Sequence, residues 1–256
     1  MTCGVLLDLA GVVYDGEKAV PGALDAIKRL RAAGLPVRLV SNTTRSTKAS
    51  VLERLRGFGL DVGEDEAFTP ARAAVGWLKA NRRSPHLLIH PGLEADFSDL
   101  PPGQGRAVVV GDAGAAFDYA ALNAAFRALS AGADFLALAA NRSFRDADGE
   151  LSLDAGPFVA ALEFAAGRKA RVLGKPSPEF FRAALASMDI LAAEAVMIGD
   201  DAESDVAGAL SAGVGQGILV RTGKYRPGDE TRFSPPPNSV ADDLAQAVDQ
   251  LLAQTQ

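Results

Sequence analysis

Four short apolar runs in this chain each end on a residue able to do chemistry. Val5-Leu6-Leu7 runs into Asp8, and a glycine follows at position 11. Val37-Arg38-Leu39-Val40 runs into Ser41-Asn42-Thr43-Thr44. The run at 171–173 leads into Gly174-Lys175-Pro176. The run at 195–198 ends in Gly199-Asp200-Asp201, with Asp205 close behind. A buried strand that delivers a polar side chain at its carboxyl end is how open α/β sheets build ligand sites. Alone, Asp8 reads equally well as a turn cap. Together the four segments say more, because all strand carboxyl ends of a parallel sheet share one edge. They can then converge as two or three carboxylates, a hydroxyl and one ammonium group. Carboxylates in that number repel unless a cation sits between them. Hard oxygen donors suit Mg²⁺, which is often shared with a substrate phosphate, and the lack of a His/Cys cluster argues against zinc.

These segments need a parallel sheet to position them, and the patterning supplies one. Helical spacing over 21–33 is stopped by Gly34, and Ser46 is the expected cap of a helix reaching Leu55. Strand, helix, strand, helix in this order is the βαβα rhythm of a parallel sheet. A middle block follows. Its helices are expected over 71–79, 119–129 and 157–166, and its strands over 86–90, 107–111 and 134–139. A polar loop spans 141–156. The last third resumes the first rhythm. A strand at 171–173 precedes a helix over 178–188 capped by Ser177. A strand at 195–198, a helix to about 212, a strand at 217–220 and a final helix over 240–252 complete it. The expected fold is α/β, a Rossmann-like parallel-sheet core formed by 1–69 and 168–256, with an inserted α/β cap domain at 70–167.

The bulk numbers bound the partners. The chain has 256 residues, of which 48% are hydrophobic and 23% charged, enough to bury a full core. A net charge of −6 argues against nucleic acid or an anionic membrane as the main partner. No run reaches the length of a membrane span, and Asp8 interrupts the one apolar run near the start, so a cytoplasmic location is expected. The single cysteine, Cys3, has no internal disulfide partner and reads as an inert residue at a strand start.

Asp8-Leu9-Ala10-Gly11-Val12, Ser41-Asn42-Thr43, Gly174-Lys175-Pro176 and Gly199-Asp200-Asp201 with Asp205 resemble, in order, the four motifs of the haloacid dehalogenase superfamily of phosphatases. The likeness extends over nearly the whole chain. It is closest to the branch whose cap lies between the second and third motifs, and 87–90, 174–181 and 221–227 carry that narrower likeness. The resemblance implies a Mg²⁺-dependent phosphohydrolase in which Asp8 attacks phosphorus to form an aspartyl-phosphate. It implies metal ligands from Asp8, the Ala10 carbonyl and Asp200, with Asp205 binding through water or holding Lys175. Ser41 and the backbone at Asn42 and Thr43 would hold phosphoryl oxygens, and Lys175 would neutralise them. The loop at 141–156, which includes Arg142, Arg145 and Asp146, would close over the substrate, with Arg142 or Arg145 meeting an anionic tail. The partner implied is a small phosphorylated substrate or a phosphoprotein, and the family leaves room for a homodimer through the cap.

Ala10 departs from the superfamily pattern. Most of its phosphatases carry Asp there, which protonates the leaving oxygen and then activates water; two members of the branch this chain resembles carry Ser. Such acid–base help is worth about 10²–10⁴-fold. Its loss falls hardest on alkyl phosphates and least on pyrophosphate, P–N phosphates and aryl phosphates, whose leaving groups are already stable. The alternative reading is a phosphate- or phosphoprotein-binding pseudoenzyme that kept the pocket. Phosphonoacetaldehyde hydrolases also carry Ala at this position, but their cap lies between the first two motifs, where this chain has room only for about one βαβ unit. Other polar residues have plain readings. Asp15 caps a turn, Asp201 caps a helix or binds through water, and His86 and His90 lie on one face of a strand.

Overall fold

The strand Gly4–Asp8 shows no alternation of apolar and polar residues, and all five of its residues are buried. That is the signature of a strand covered on both faces. The computed structural model describes residues 2, 4–145 and 150–253. Cys3, Asp146 and the side chain of Arg145 lie outside the described residues.

The chain forms two units. The first comprises Met1–Ser41, Leu52–Phe68 and Lys175–Gln256; the second comprises Asn42–Val51 and Thr69–Gly174. In the first unit, six parallel strands run in the order Ser239–Ala241, Gln216–Val220, Ala195–Gly199, Gly4–Asp8, Val37–Val40, Ala67–Phe68. Helix Ala23–Ala32 buries Ala23, Ala26, Ile27 and Leu30, one stripe at helical spacing. It packs against helix Leu244–Ala253, which buries Leu244, Ala247, Val248 and Leu251. Helix Pro178–Ala186 lays Phe180, Phe181, Ala184 and Leu185 inward and packs against strands Gly4–Asp8 and Val37–Val40.

The second unit has its own four-stranded parallel sheet, ordered Arg171–Val172, Asp134–Ala137, Gly105–Val110, Arg83–Leu88. Alternate residues of the central strands feed two cores. Val109 and Leu136 pack with Ala71, Ala74 and Leu78 of helix Pro70–Ala80. Val108, Val110 and Phe135 pack with Ala125 and Leu129 of helix Tyr119–Ser130 and with Val159 and Leu162 of helix Ala155–Ala166. Among the described residues no helix is long and apolar enough to cross a membrane.

Several elements differ from the sequence expectation. The run at 171–173 does not join the first sheet: Arg171–Val172 pairs with Asp134–Ala137 of the second unit. The helix expected from Ser46 is capped one residue later, where the Thr47 hydroxyl accepts from Ser50 N at 3.1 Å. Ser177 stands at its helix start, but its side chain makes no capping bond. The polar loop at 141–156 contains a hairpin, Ser143–Arg145 with Leu151–Leu153. The final helix starts at Leu244, because Ser239–Ala241 extends the first sheet instead. Asp15 pairs with Lys18 in a short hairpin. His86 lies within a strand that ends at Leu88, whereas His90 is beyond it and accepts from Gly92 N through Nδ1 at 3.1 Å. The two histidines therefore do not share a strand face.

Phe181 is fully buried and Phe164 is 91% exposed. Phe181→Ala is expected to lower the unfolding free energy in urea by about 3–5 kcal/mol. Phe164→Ala should change it by less than about 0.5 kcal/mol. Equal effects from the two would contradict this packing.

Candidate active site

The strand order of the first sheet reverses between Gly4–Asp8 and Ala195–Gly199. The chain steps from Gly4–Asp8 to Val37–Val40 and Ala67–Phe68, then returns on its other flank with Ala195–Gly199. Loops leave the two central strands in opposite directions at such a reversal, which opens a crevice at their carboxyl ends. Asp8 ends one of these strands, in register with Val40. Asp200 follows the other directly.

Asp205 enters by a different route. Residues Ala202–Ala207 form a π turn, the wide helical turn that recurs at functional sites. Asp201 caps it: Oδ1 accepts from Glu203 N at 3.1 Å and from Ser204 N at 2.9 Å. Asp205 Oδ2 accepts in return from Asp201 N at 3.1 Å. A Cβ on Gly199 would overlap the Asp205 side chain, so glycine is required at that strand end. The capping role expected for Asp201 is therefore the one it has.

Asp8, Asp200 and Asp205 are all buried, and each offers an oxygen within 4.8 Å of the others. Lys175 is 2% exposed. Its Nζ donates to Asp8 Oδ1, lies 2.6 Å from Asp205 Oδ1, and approaches the Val40 carbonyl at 3.4 Å. Buried ions persist only when paired in this way. Burial alone would lower the Lys175 pKa, but Asp205 and Asp8 outweigh it and hold the ammonium charged. Burial pushes Asp200 well above the usual carboxylate range, with Asp8 and Asp205 adding to it. Burial also pushes Asp205 up to about 7, against the pull of Lys175 and with Asp8 repelling.

Lys224 was not among the residues singled out by type and spacing. Its backbone N–H donates to Asp200 Oδ2 at 2.7 Å, and its Nζ lies 3.3 Å from Asp201 Oδ2. It follows strand Gln216–Val220, so the rule that marks Asp8 and Asp200, a polar residue just past a parallel strand's carboxyl end, would have flagged this loop too. Four carboxylates thus face two ammonium groups. Fully ionised, the cluster carries a surplus of two negative charges, which one divalent cation cancels. Three convergent hard oxygens, two of them on carboxyls whose pKa burial raises, fit Mg²⁺ on chemical grounds.

Ser41 is buried and closes the first unit's strand Val37–Val40; its N–H donates to Phe68 O at 3.0 Å. Asn42 and Thr43 belong to the second unit. Arg142 is exposed at the entry to the second unit's hairpin. Ala10 is exposed, bridged to Tyr14 within the turn that follows Asp8, where Gly11 N donates to Tyr14 O at 2.7 Å.

Residues 5–123 match the family described as haloacid dehalogenase-like hydrolase, and residues 172–247 match the HAD-hydrolase-like family. The chain is 45% identical over 248 residues to haloacid dehalogenase-like hydrolase domain-containing protein 2 of Rattus norvegicus, covering 97% of this chain and 95% of that protein. It belongs to the haloacid dehalogenase-like hydrolase family. Within that family it is 42% identical over 255 residues to phospholysine phosphohistidine inorganic pyrophosphate phosphatase of Bos taurus, covering 97% and 94% of the two chains. Its fold superposes on p-nitrophenyl phosphatase from Archaeoglobus fulgidus with a TM-score of 0.88 at 26% identity, covering 97% of this hydrolase and 99% of that chain.

The site makes the stability of this hydrolase depend on pH in a definite direction. Below the ordinary carboxylate value of 3.8, Asp200 and Asp205 are protonated in the folded and the unfolded chain alike, and they contribute no penalty. Above it the unfolded chain ionises freely, while the folded site without metal keeps its protons, up to about 7 for Asp205. Stability of the metal-free site therefore falls across that window. A divalent cation bound there would replace those protons, so its stabilising effect would grow with pH. The rise in Tm on adding excess Mg²⁺ should be small near about pH 5 and large near about pH 8, and Asp200→Asn should abolish it at both. A Tm increment that does not change with pH contradicts this reading of the cluster.

Proposed function

We propose that this chain is a Mg²⁺-dependent phosphohydrolase that works through an aspartyl-phosphate on Asp8 and favours labile phosphates. The observation that carries the reading is a buried Asp8 bonded to Lys175 beside Asp200 and Asp205. One Asp8 oxygen attacks phosphorus, the bond from phosphorus to the leaving group breaks, and that group departs with the electron pair. Water then attacks phosphorus, releasing inorganic phosphate and restoring the Asp8 carboxylate. Lys175 orients Asp8 and offsets charge on the phosphoryl group, a positioning and electrostatic contribution of the kind phosphoryl transfer requires. Ser41, with the following Asn42 and Thr43, is assigned to phosphoryl oxygens, and Arg142 to an anionic tail of the substrate. Asp8, the Ala10 carbonyl, Asp200 and Asp205 would hold Mg²⁺, Asp205 also fixing Lys175. The ion, when bound, supplies charge neutralisation at the phosphoryl oxygens.

Ala10 sets the substrate class. No side chain at that position donates a proton to the leaving group, so groups stable as anions or already protonated depart best. Relatives named for pyrophosphate, phospholysine and phosphohistidine, and for nitrophenyl phosphate, fit this preference. A location in the cytoplasm, a small phosphorylated molecule or phosphoprotein as substrate, and a homodimer through the cap belong to the same reading. In it, residues 70–167 are the cap domain and 1–69 with 168–256 the core domain.

The second reading, a phosphate-binding pseudoenzyme, rests on Ala10 alone. Acid quench during turnover of pyrophosphate or nitrophenyl phosphate separates the two. Label from the substrate should be trapped on Asp8 and absent in Asp8→Asn; phosphate bound without a covalent adduct would favour the pseudoenzyme. Ala10→Asp should raise turnover of sugar phosphates by about 10²-fold or more, with a smaller gain on nitrophenyl phosphate. Equal gains on both would show that leaving-group protonation is not what limits the natural chain.

A further inference from the structure

The loop at 221–228 closes around Asp200. Gly223 has φ 57 and Gly11 has φ 84, both in the left-handed region that favours glycine. A Cβ built on either one would overlap Asp200 Oδ2, and a Cβ on Gly11 would come within 2.8 Å of the Gly223 Cα. Asp200 Oδ2 is therefore held between two glycine backbones while it accepts from Lys224 N at 2.7 Å. The side chain of the same lysine reaches back 3.3 Å to Asp201 Oδ2. Asp201 in turn caps the π turn that carries Asp205. One residue thus ties together, through its amide and its ammonium, two of the segments that bring carboxylates to the site, those of Asp200 and Asp205.

We infer that Gly223 and Lys224 are positioning residues that set the geometry of the Asp200–Asp205 pair for Mg²⁺ in particular. The inference rests on the metal-binding reading of the cluster. Mg²⁺ demands near-ideal octahedral geometry at about 2.0–2.1 Å, whereas Ca²⁺ tolerates irregular sites at about 2.3–2.6 Å. Loosening the loop should therefore cost Mg²⁺ more than Ca²⁺. The ratio of the two affinities isolates this effect, because loss of the Lys224 charge acts on both divalent ions alike. A role confined to folding would leave the ratio unchanged.

The test is calorimetric titration of the full chain with Mg²⁺ and separately with Ca²⁺, in wild type, Gly223→Ala, Lys224→Ala and Gly228→Ala. Gly228 has φ 97 and nothing within 4 Å of an added Cβ, so its alanine variant carries the same kind of backbone strain without touching Asp200. Gly223→Ala should lower the Mg²⁺ to Ca²⁺ affinity ratio by about tenfold or more, in line with the cost of losing a group that orients a metal ligand. Lys224→Ala, which keeps the amide, should lower it by about threefold, and Gly228→Ala should leave it within about twofold of wild type. If Gly223→Ala does not fold, Lys224→Ala decides alone. A wild-type ratio in Lys224→Ala, or an equal fall in Gly228→Ala, overturns the inference. A wild-type chain that binds neither ion overturns the metal reading itself, a different result from normal binding with an unchanged ratio.

Discussion

The site is governed by the cost of burying like charges together. Asp8, Asp200 and Asp205 sit within a few ångströms of one another, out of water, at the edge of a sheet whose strands are apolar on both faces. Fully ionised, such a cluster would destabilise the fold unless something opposed it. Lys175 opposes part of that charge by bonding Asp8 and pairing with Asp205. Lys224 opposes another part through Asp201 and the Asp200 amide contact. What is left over is a surplus of negative charge on a set of hard oxygens, which a divalent cation would offset. On the proposed reading, a bound cation would turn a repulsive pocket into one that attracts a doubly charged phosphoryl group.

The same imbalance explains why irregular backbone gathers here. The π turn brings Asp205 inward, and left-handed glycines at 11 and 223 allow backbone to press against Asp200. Regular helix and strand cannot place three carboxylates and a lysine amide around one point. These departures from regularity are held by backbone amides that donate to the carboxylates themselves, so positioning and charge are handled by the same groups. Ala10 fits this economy. The turn after Asp8 keeps its backbone shape through the Tyr14 bridge while its side chain offers no proton. On the proposed reading, the chemistry would then depend on the leaving group rather than on an acid at position 10.

Much of this was legible in residue order, and the exceptions have physical causes. Asp8 and Asp200 announce themselves because a fully buried strand is a continuous apolar run, and its end is easy to see. Lys175 was legible by type but for the wrong reason. The strand before it belongs to the second unit's sheet, and a two-residue pairing such as Arg171–Val172 carries no sign of which sheet it joins. The π turn was hidden because Ala202–Ala207 has the composition of any short helix. The hairpin at Ser143–Arg145 and Leu151–Leu153 leaves Leu151 and Leu153 exposed, so apolar residues there do not mark a buried face. Lys224 escaped notice because half of its work is done by a backbone amide, which no side-chain pattern reveals.

The central claim, that the carboxylates of Asp8 and Asp200 share one divalent ion, is open to direct sight. Anomalous diffraction from crystals soaked in Mn²⁺, an ion of the same hard-oxygen preference, would locate it. The account expects one strong peak within about 2.0–2.3 Å of a carboxylate oxygen of each residue, lost when Asp200 is changed to Asn. A well-occupied ion elsewhere, with none between these two carboxylates, would contradict it.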